Sequence, residues 1–177
     1  MSNNTTTTVI ELSRDYGLVL LASTAIISQY FVTPLIVIGP VRKRIFNKDY
    51  LNKNFGQVHR KEIGGDVPVL GYPDLGNGRF SQLLSYKDWM ALNSAYRIHL
   101  NFGEGIGIIV PFTLIASLKF PRTAAYLALG YFVSRIIYAV GYTKKPDARR
   151  ASFWSIACIT CAMGTLAAFT GWKVFRK

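Results

Sequence analysis

Four stretches of the chain contain no Asp, Glu, Lys or Arg: residues 16–41, 105–118, 123–134 and 151–172. Within each, apolar residues run on continuously rather than alternating with the period of two that marks a half-buried strand. A bilayer core of about 30 Å takes about 20 residues of helix. The first and last stretches are long enough as they stand. The second becomes so if its helix starts before Glu104, and the third if it continues past Arg135 to Tyr142. Lipid offers no partner to backbone groups, so only helices or closed barrels span it. The pattern predicts an all-α fold, an integral membrane four-helix bundle. Its helices fall at about 16–39, 89–118, 122–142 and 149–172, in a single transmembrane domain covering residues 1–177.

Punctuation between the stretches agrees. Pro40 marks the end of the first helix, Pro121 separates the second from the third, and Lys144-Lys145-Pro146-Asp147 forms the next turn. A polar segment, residues 47–88, joins the first two helices and is far longer than the usual connection. Gly64-Gly65, Gly71-Tyr72-Pro73 and Gly76-Asn77-Gly78 break it into turns. It also carries apolar anchors, among them Tyr50, Leu51, Phe55, Val67, Leu70, Phe80 and Leu84, so it is expected to be ordered and to pack over the membrane surface. A second helix from Trp89 to Leu118 would be about 45 Å long, which sets its first turns outside the lipid.

The net charge of +12 does not indicate nucleic acid, because the basic residues flank the apolar runs instead of forming a basic face. With the N-terminus on side A, side B holds Arg42, Lys43, Arg44, Lys48, Lys53, Arg60, Lys61, Arg79, Lys87, Lys144, Lys145, Arg149 and Arg150. Side A holds Arg14, Lys119, Arg122, Lys173, Arg176 and Lys177. This asymmetry makes side B cytosolic, or matrix-facing in a mitochondrial membrane. The first helix reads as an uncleaved anchor, because no positive charge precedes it within the first 13 residues and its apolar run is too long for a signal peptide. Thr5 to Thr8 read as a short disordered tail. Asn3 and Asn4 begin N-x-Thr sequons too near the membrane to carry glycan. Cys158 and Cys161 form a C-x-x-C inside an apolar helix, without the further ligands a zinc site needs. They read as small residues packing between helices, and no metal is expected.

The remaining chemistry lies in polar residues that interrupt apolar helices. Arg97, Asn101 and Glu104 stand at i, i+4 and i+7, within about 60° of one helix face. His99 points about 200° away from Arg97. Arg135, Tyr138 and Tyr142 repeat the spacing on the third helix, and Arg149 opens the fourth on the same side. Charges at membrane depth normally face the bundle interior or a water-filled cavity. A single structural bridge, Glu104 with Arg97 or Arg135, needs fewer groups than these. The set suits a zwitterionic ligand with carboxylates, an amine and peptide groups.

Arg97-x-His99-x-Asn101-x-x-Glu104 resembles the second-helix signature of the MAPEG family, the membrane-associated proteins of eicosanoid and glutathione metabolism. The opening SRDYGLVLL, the string VSRIIYAVGY ending at Tyr142, and Asp147-Ala148-Arg149-Arg150 resemble the same family, and within it the branch of the type-3 microsomal glutathione S-transferases. The resemblance implies a homotrimer that binds glutathione between neighbouring subunits. It implies glutathione contacts at Arg97, Asn101, Glu104, Tyr138, Tyr142 and Arg149, with His99 reaching across the interface. It places the thiol-activating cation at the end of the first helix, where Arg42, Lys43 and Arg44 are the candidates. Three features depart from the family pattern: Gly105, Ile106 and Gly107 follow the glutamate, proline is delayed to Pro111, and the loop before the second helix is longer than expected. Gly103 and Gly107 form a G-x-x-x-G that is expected to pack at the subunit interface.

The implied activity is that of a membrane-bound glutathione transferase or peroxidase. With glutathione as co-substrate, it would attack lipophilic electrophiles or reduce lipid hydroperoxides drawn from the membrane lipid. The endoplasmic reticulum is the first expectation for its location and a mitochondrial membrane the second. One charge is sufficient for activation. Lowering a thiol pKa from about 8.5 to about 6 requires about 3.4 kcal/mol, and a cation at about 4 Å supplies about 4 kcal/mol at an effective dielectric of 20. The alternative is a non-catalytic, MAPEG-like accessory subunit of a larger membrane complex, such as a mitochondrial one, that docks through residues 47–88.

Overall fold

The computed structural model describes residues 14–144, Asp147 and residues 149–176. The tail threonines, the Asn3 and Asn4 sequons, Lys145 and Pro146 lie outside the described residues. Every element among the described residues is helical, and four helices are long and apolar enough to cross a bilayer. We label them α1 (Arg14–Ile45), α3 (Tyr86–Ser117), α4 (Pro121–Lys144) and α5 (Arg149–Phe175). A further helix, α2, covers residues 48–62. The chain is an integral membrane four-helix bundle.

Pro40 does not end the first helix. α1 widens to a π turn at Pro34–Ile38, closed by the Gly39 amide donating to the Pro34 carbonyl. The wider turn lies just ahead of Pro40, whose ring would otherwise press on the carbonyl four residues earlier. α1 therefore continues to Ile45 and carries Arg42, Lys43 and Arg44 on helix rather than on a loop.

Two exposed tryptophans on α5 register the bundle in the bilayer. Trp154 and Trp172 are about 27 Å apart along the helix axis, close to the hydrocarbon thickness, and indoles favour that boundary. α3 has 32 residues, or about 48 Å. Its C-terminal end is held at the Trp172 level, where Phe120 stacks on Phe169 at 5.9 Å. Its surplus length therefore projects from the opposite face, as does the end of α1. The two projecting ends meet, and Arg44 pairs with Asp88 at 2.8 Å.

Within the bundle, α3, α4 and α5 pack on one another, and α1 lies against α4 and α3. Ala124 and Ala128 on α4 are fully buried, which lets neighbouring backbones approach closely. Two buried hydroxyls donate to their own helix: Thr113 to the Ile109 carbonyl at 2.7 Å, and Thr170 to that of Leu166 at 2.9 Å.

Residues 47–88 fold back as a cap on the projecting ends of α1 and α3. Its core is Ile45, Phe46, Leu51, Phe55, Val67 and Leu92, with Phe80 and Leu84 packed against it. Gly71 is required here: its φ is +62°, and a Cβ would lie 2.8 Å from the Phe46 ring. Arg42 fastens the cap. Its guanidinium is fully buried. Nε and Nη2 donate to the Leu70 carbonyl at 3.0 and 2.7 Å. Nη1 donates to the Asp74 carbonyl and to Tyr96 Oη on α3, and the Tyr72 ring lies 4.0 Å from the guanidinium. The Asp74 carboxylate organises the next turn, accepting from the amides of Gly76, Gly78 and Ser81 and from the Ser81 hydroxyl. Burial alone would push its pKa up; these hydrogen bonds outweigh burial and hold it below the ordinary 3.8.

Replacing Arg42 by Met should release the cap, since hydrogen bonds to a charged group are worth about 1.5–3 kcal/mol each. Trypsin cleavage at Lys53, Arg60, Lys61 and Arg79 should be slow in the native protein and become rapid in the variant. The depressed Asp74 pKa adds a pH dependence. Its contribution is fully present above the unfolded value of 3.8 and is lost as pH falls through the lower folded value. Amide exchange in the cap should stay protected at pH 5 and rise only below about pH 4.

Candidate functional site

The buried face of α4 changes character along its length. Ala124, Ala128, Tyr131, Arg135, Tyr138 and Tyr142 follow one another at helical spacing, and all are at least nine-tenths buried. The small residues lie towards the Trp172 side and the polar ones towards the cap side. Arg135 donates through Nε and Nη2 to Tyr131 Oη at 2.9 and 2.7 Å, and its guanidinium lies 5.0 Å from the Phe102 ring. Tyr138 donates to Asn101 Oδ1 at 3.2 Å. The Tyr138 and Tyr142 rings are 5.6 Å apart, and Arg149 Nη1 donates to Tyr142 Oη at 3.1 Å. Arg149, Tyr142, Tyr138 and Asn101 thus form one continuous array across α5, α4 and α3.

The array opens into a cleft of about 290 Å³ lined by Asn101, Glu104, Gly105, Tyr131, Arg135 and Tyr138, with Phe153, Ile156, Ala157, Thr160 and Cys161 on the α5 wall. A larger hollow of about 730 Å³ lies between α1 and α4. Its lining is mainly apolar and includes none of the candidate residues, so of these two the smaller cleft is the one that the candidate residues line.

Glu104 is exposed and makes no ion pair among the described residues; the three bridges present lie elsewhere. This overturns the simple structural reading, in which Glu104 bridges to Arg97 or Arg135. Arg97 is exposed on the same side of α3 and forms no such pair among the described residues. His99 faces away from the array, its ring stacked on Tyr30 of α1 at 4.3 Å. Its Nδ1 is buried and has no hydrogen-bond partner among the described residues. Gly103 also receives Tyr30, which a Cβ would approach to 3.2 Å, whereas Gly107 meets nothing. Within the G-x-x-x-G pair, then, Gly103 packs inside the chain and only Gly107 is open to a neighbour.

The basic run of α1 does not reach the cleft within one chain. Arg42 has all three nitrogens engaged by the cap and Tyr96, Arg44 pairs with Asp88, and Lys43 is exposed. The structure adds Tyr131, which the sequence reading passed over. It stands four residues before Arg135, the same spacing that relates the other members of the face. It also places Cys158 and Cys161 on the exposed surface of α5, correcting the expectation that they pack between helices.

A family model described as the MAPEG family matches residues 19–170, which takes in the cap and nearly all of the four membrane helices. The chain belongs to the MAPEG family. No individual curated protein matches it. In this MAPEG chain Gly105, which follows the motif glutamate, has a packing role. A Cβ at Gly105 would strike both Arg135 Nη2 and Tyr131 Oη, so the glycine makes the space in which the buried cation sits. Gly105→Ala should therefore destabilise the bundle by about 1–3 kcal/mol or eject Arg135 from its place. Thermal unfolding in detergent checks the first outcome, and loss of the Arg135–Tyr131 contact in a structure of the variant checks the second.

Proposed function

We propose that this MAPEG protein is a membrane glutathione transferase or peroxidase of the microsomal type-3 kind. The single observation that carries the reading is the array of Arg149, Tyr142, Tyr138 and Asn101 leading into a cleft with Arg135 and Glu104. Glutathione offers two carboxylates, one amine and two peptide groups. The cations suit its carboxylates, Glu104 suits its amine, and Asn101 with the phenols suits its peptide groups.

The proposed assembly is a homotrimer in which each site is completed by its neighbour. His99 and the end of α1 lie outside their own cleft; within the basic run Arg42 and Arg44 are engaged inside the chain, so the role proposed for His99 and Lys43 belongs to the adjacent subunit's cleft. Lys43 is the member of that run with no ion pair or hydrogen bond among the described residues, and one such charge is enough in magnitude to hold a thiolate. The electrophile or hydroperoxide enters from the bilayer past the apolar wall of α5. The proposed location is the endoplasmic reticulum, with a mitochondrial membrane second.

One observation favours the accessory-subunit reading. The cap stands clear of the lipid yet exposes Ile63, Val69, Leu75 and Leu83, as a surface that docks another protein would.

Calorimetry on detergent-purified protein separates the two readings. Glutathione should bind, and Arg149→Ala should weaken it about tenfold to a hundredfold, the loss of one charge-assisted hydrogen bond. Conjugation and peroxidase assays on the same preparation then assign the reaction. Absence of glutathione binding to the wild type would remove the enzymatic reading and leave the accessory one.

A further inference from the structure

The cleft holds a nucleophile of its own. Cys161 lines it together with Glu104 and Arg135, and its thiol is free and exposed. It lies seven residues beyond Trp154, about 10 Å into the hydrocarbon, on a wall made apolar by Phe153, Ile156 and Ala157. Arg135 is more than nine-tenths buried. Its only hydrogen-bond partner among the described residues is a neutral phenol, its Nη1 is without one, and no carboxylate lies within 4 Å. A cation so placed favours an anion arriving in the cleft.

We propose that Cys161 is a site of covalent modification by membrane-borne α,β-unsaturated carbonyl compounds. The sulfur forms a bond to the β carbon. The electron pair of the C=C bond moves onto the carbonyl oxygen, and that enolate oxygen is held by Arg135. The thiol proton passes to Glu104, the only carboxylate among the described residues that line the cleft, and returns to the α carbon, so no further reactant is needed. Water is scarce at this depth, which is why an acceptor within the cleft matters.

The chain supplies its own control. Cys158 lies one turn away on the same helix, is equally free and exposed, and does not line the cleft. It shares the lipid and the backbone with Cys161 but lacks Arg135 and Glu104.

The test uses the full chain in lipid nanodiscs, treated with trans-2-nonenal and followed by peptide mass spectrometry at both cysteines. Cys161 should be alkylated at least about tenfold faster than Cys158. Glu104→Gln and, separately, Arg135→Lys should each remove about tenfold of that preference, the lower end of what a positioned base or oxyanion donor contributes. Equal rates at the two cysteines in the wild type would overturn the proposal. So would a preference that survives in both variants, each shown to be folded by its thermal transition. The inference does not rest on the glutathione reading, and a parallel arm with S-hexylglutathione keeps the two apart. Protection of Cys161 alone supports both. Selective alkylation without protection supports this proposal and counts against glutathione in the cleft.

Discussion

One buried guanidinium ties the cap to both helices it covers. Arg42 sits where α1 leaves the bilayer, and its three nitrogens join three parts of the chain: the end of α1, the cap carbonyls of Leu70 and Asp74, and Tyr96 on α3. A lysine could not replace it, because one ammonium cannot address two carbonyls and a phenol while lying against the Tyr72 ring. The arrangement follows from length. α1 and α3 each overrun the hydrocarbon, so their surplus turns stand in water with apolar residues such as Leu92 on them. Residues 47–88 cover that surface, and Arg42 satisfies the carbonyls the covering leaves without a partner.

This engagement changes how the basic run at the end of α1 can act. A charge already hydrogen-bonded at every nitrogen is a poor candidate for holding a thiolate in its own subunit, whatever its position in an alignment. The burden moves to Lys43, to a neighbouring subunit's run, or to the cation inside the cleft, Arg135. Of these, only Arg135 is both buried and in the cleft of the same chain.

The fold was legible in the sequence because the bilayer allows few solutions. Charge-free runs of about 20 residues have one reading, and the residues that interrupt them stand out for the same reason. The shared face of Arg135, Tyr138 and Tyr142 followed from spacing alone. What was not legible depended on packing between elements distant in sequence. Pro40 looked like a terminator because a π turn leaves no mark in composition. Arg42 looked interchangeable with its neighbours because the carbonyls it meets lie 28 and 32 positions away. Spacing alone left open whether Glu104 bridges to Arg135; the space between helices places Arg135 against Tyr131 instead.

Gly105 ties these points together. At a position where a larger side chain would be ordinary, glycine opens room for a guanidinium that lipid would otherwise exclude. Holding a charge there is costly unless something returns the solvation it has lost, and a single phenol oxygen returns little. Aromatic faces from Phe102, Tyr131 and Tyr138 supply part. An anion entering the cleft would supply more. Glu104 would be the simplest such group, but it is exposed and lies beyond ion-pair distance, which leaves the cleft with a surplus of positive charge from Arg135 at its floor and Arg149 at the end of the array. A glutathione thiolate, carrying two carboxylates and one amine, or an enolate forming at the same place, each brings the missing negative charge. A neutral lipid does not. The cleft therefore suits a ligand on which negative charge arrives or develops.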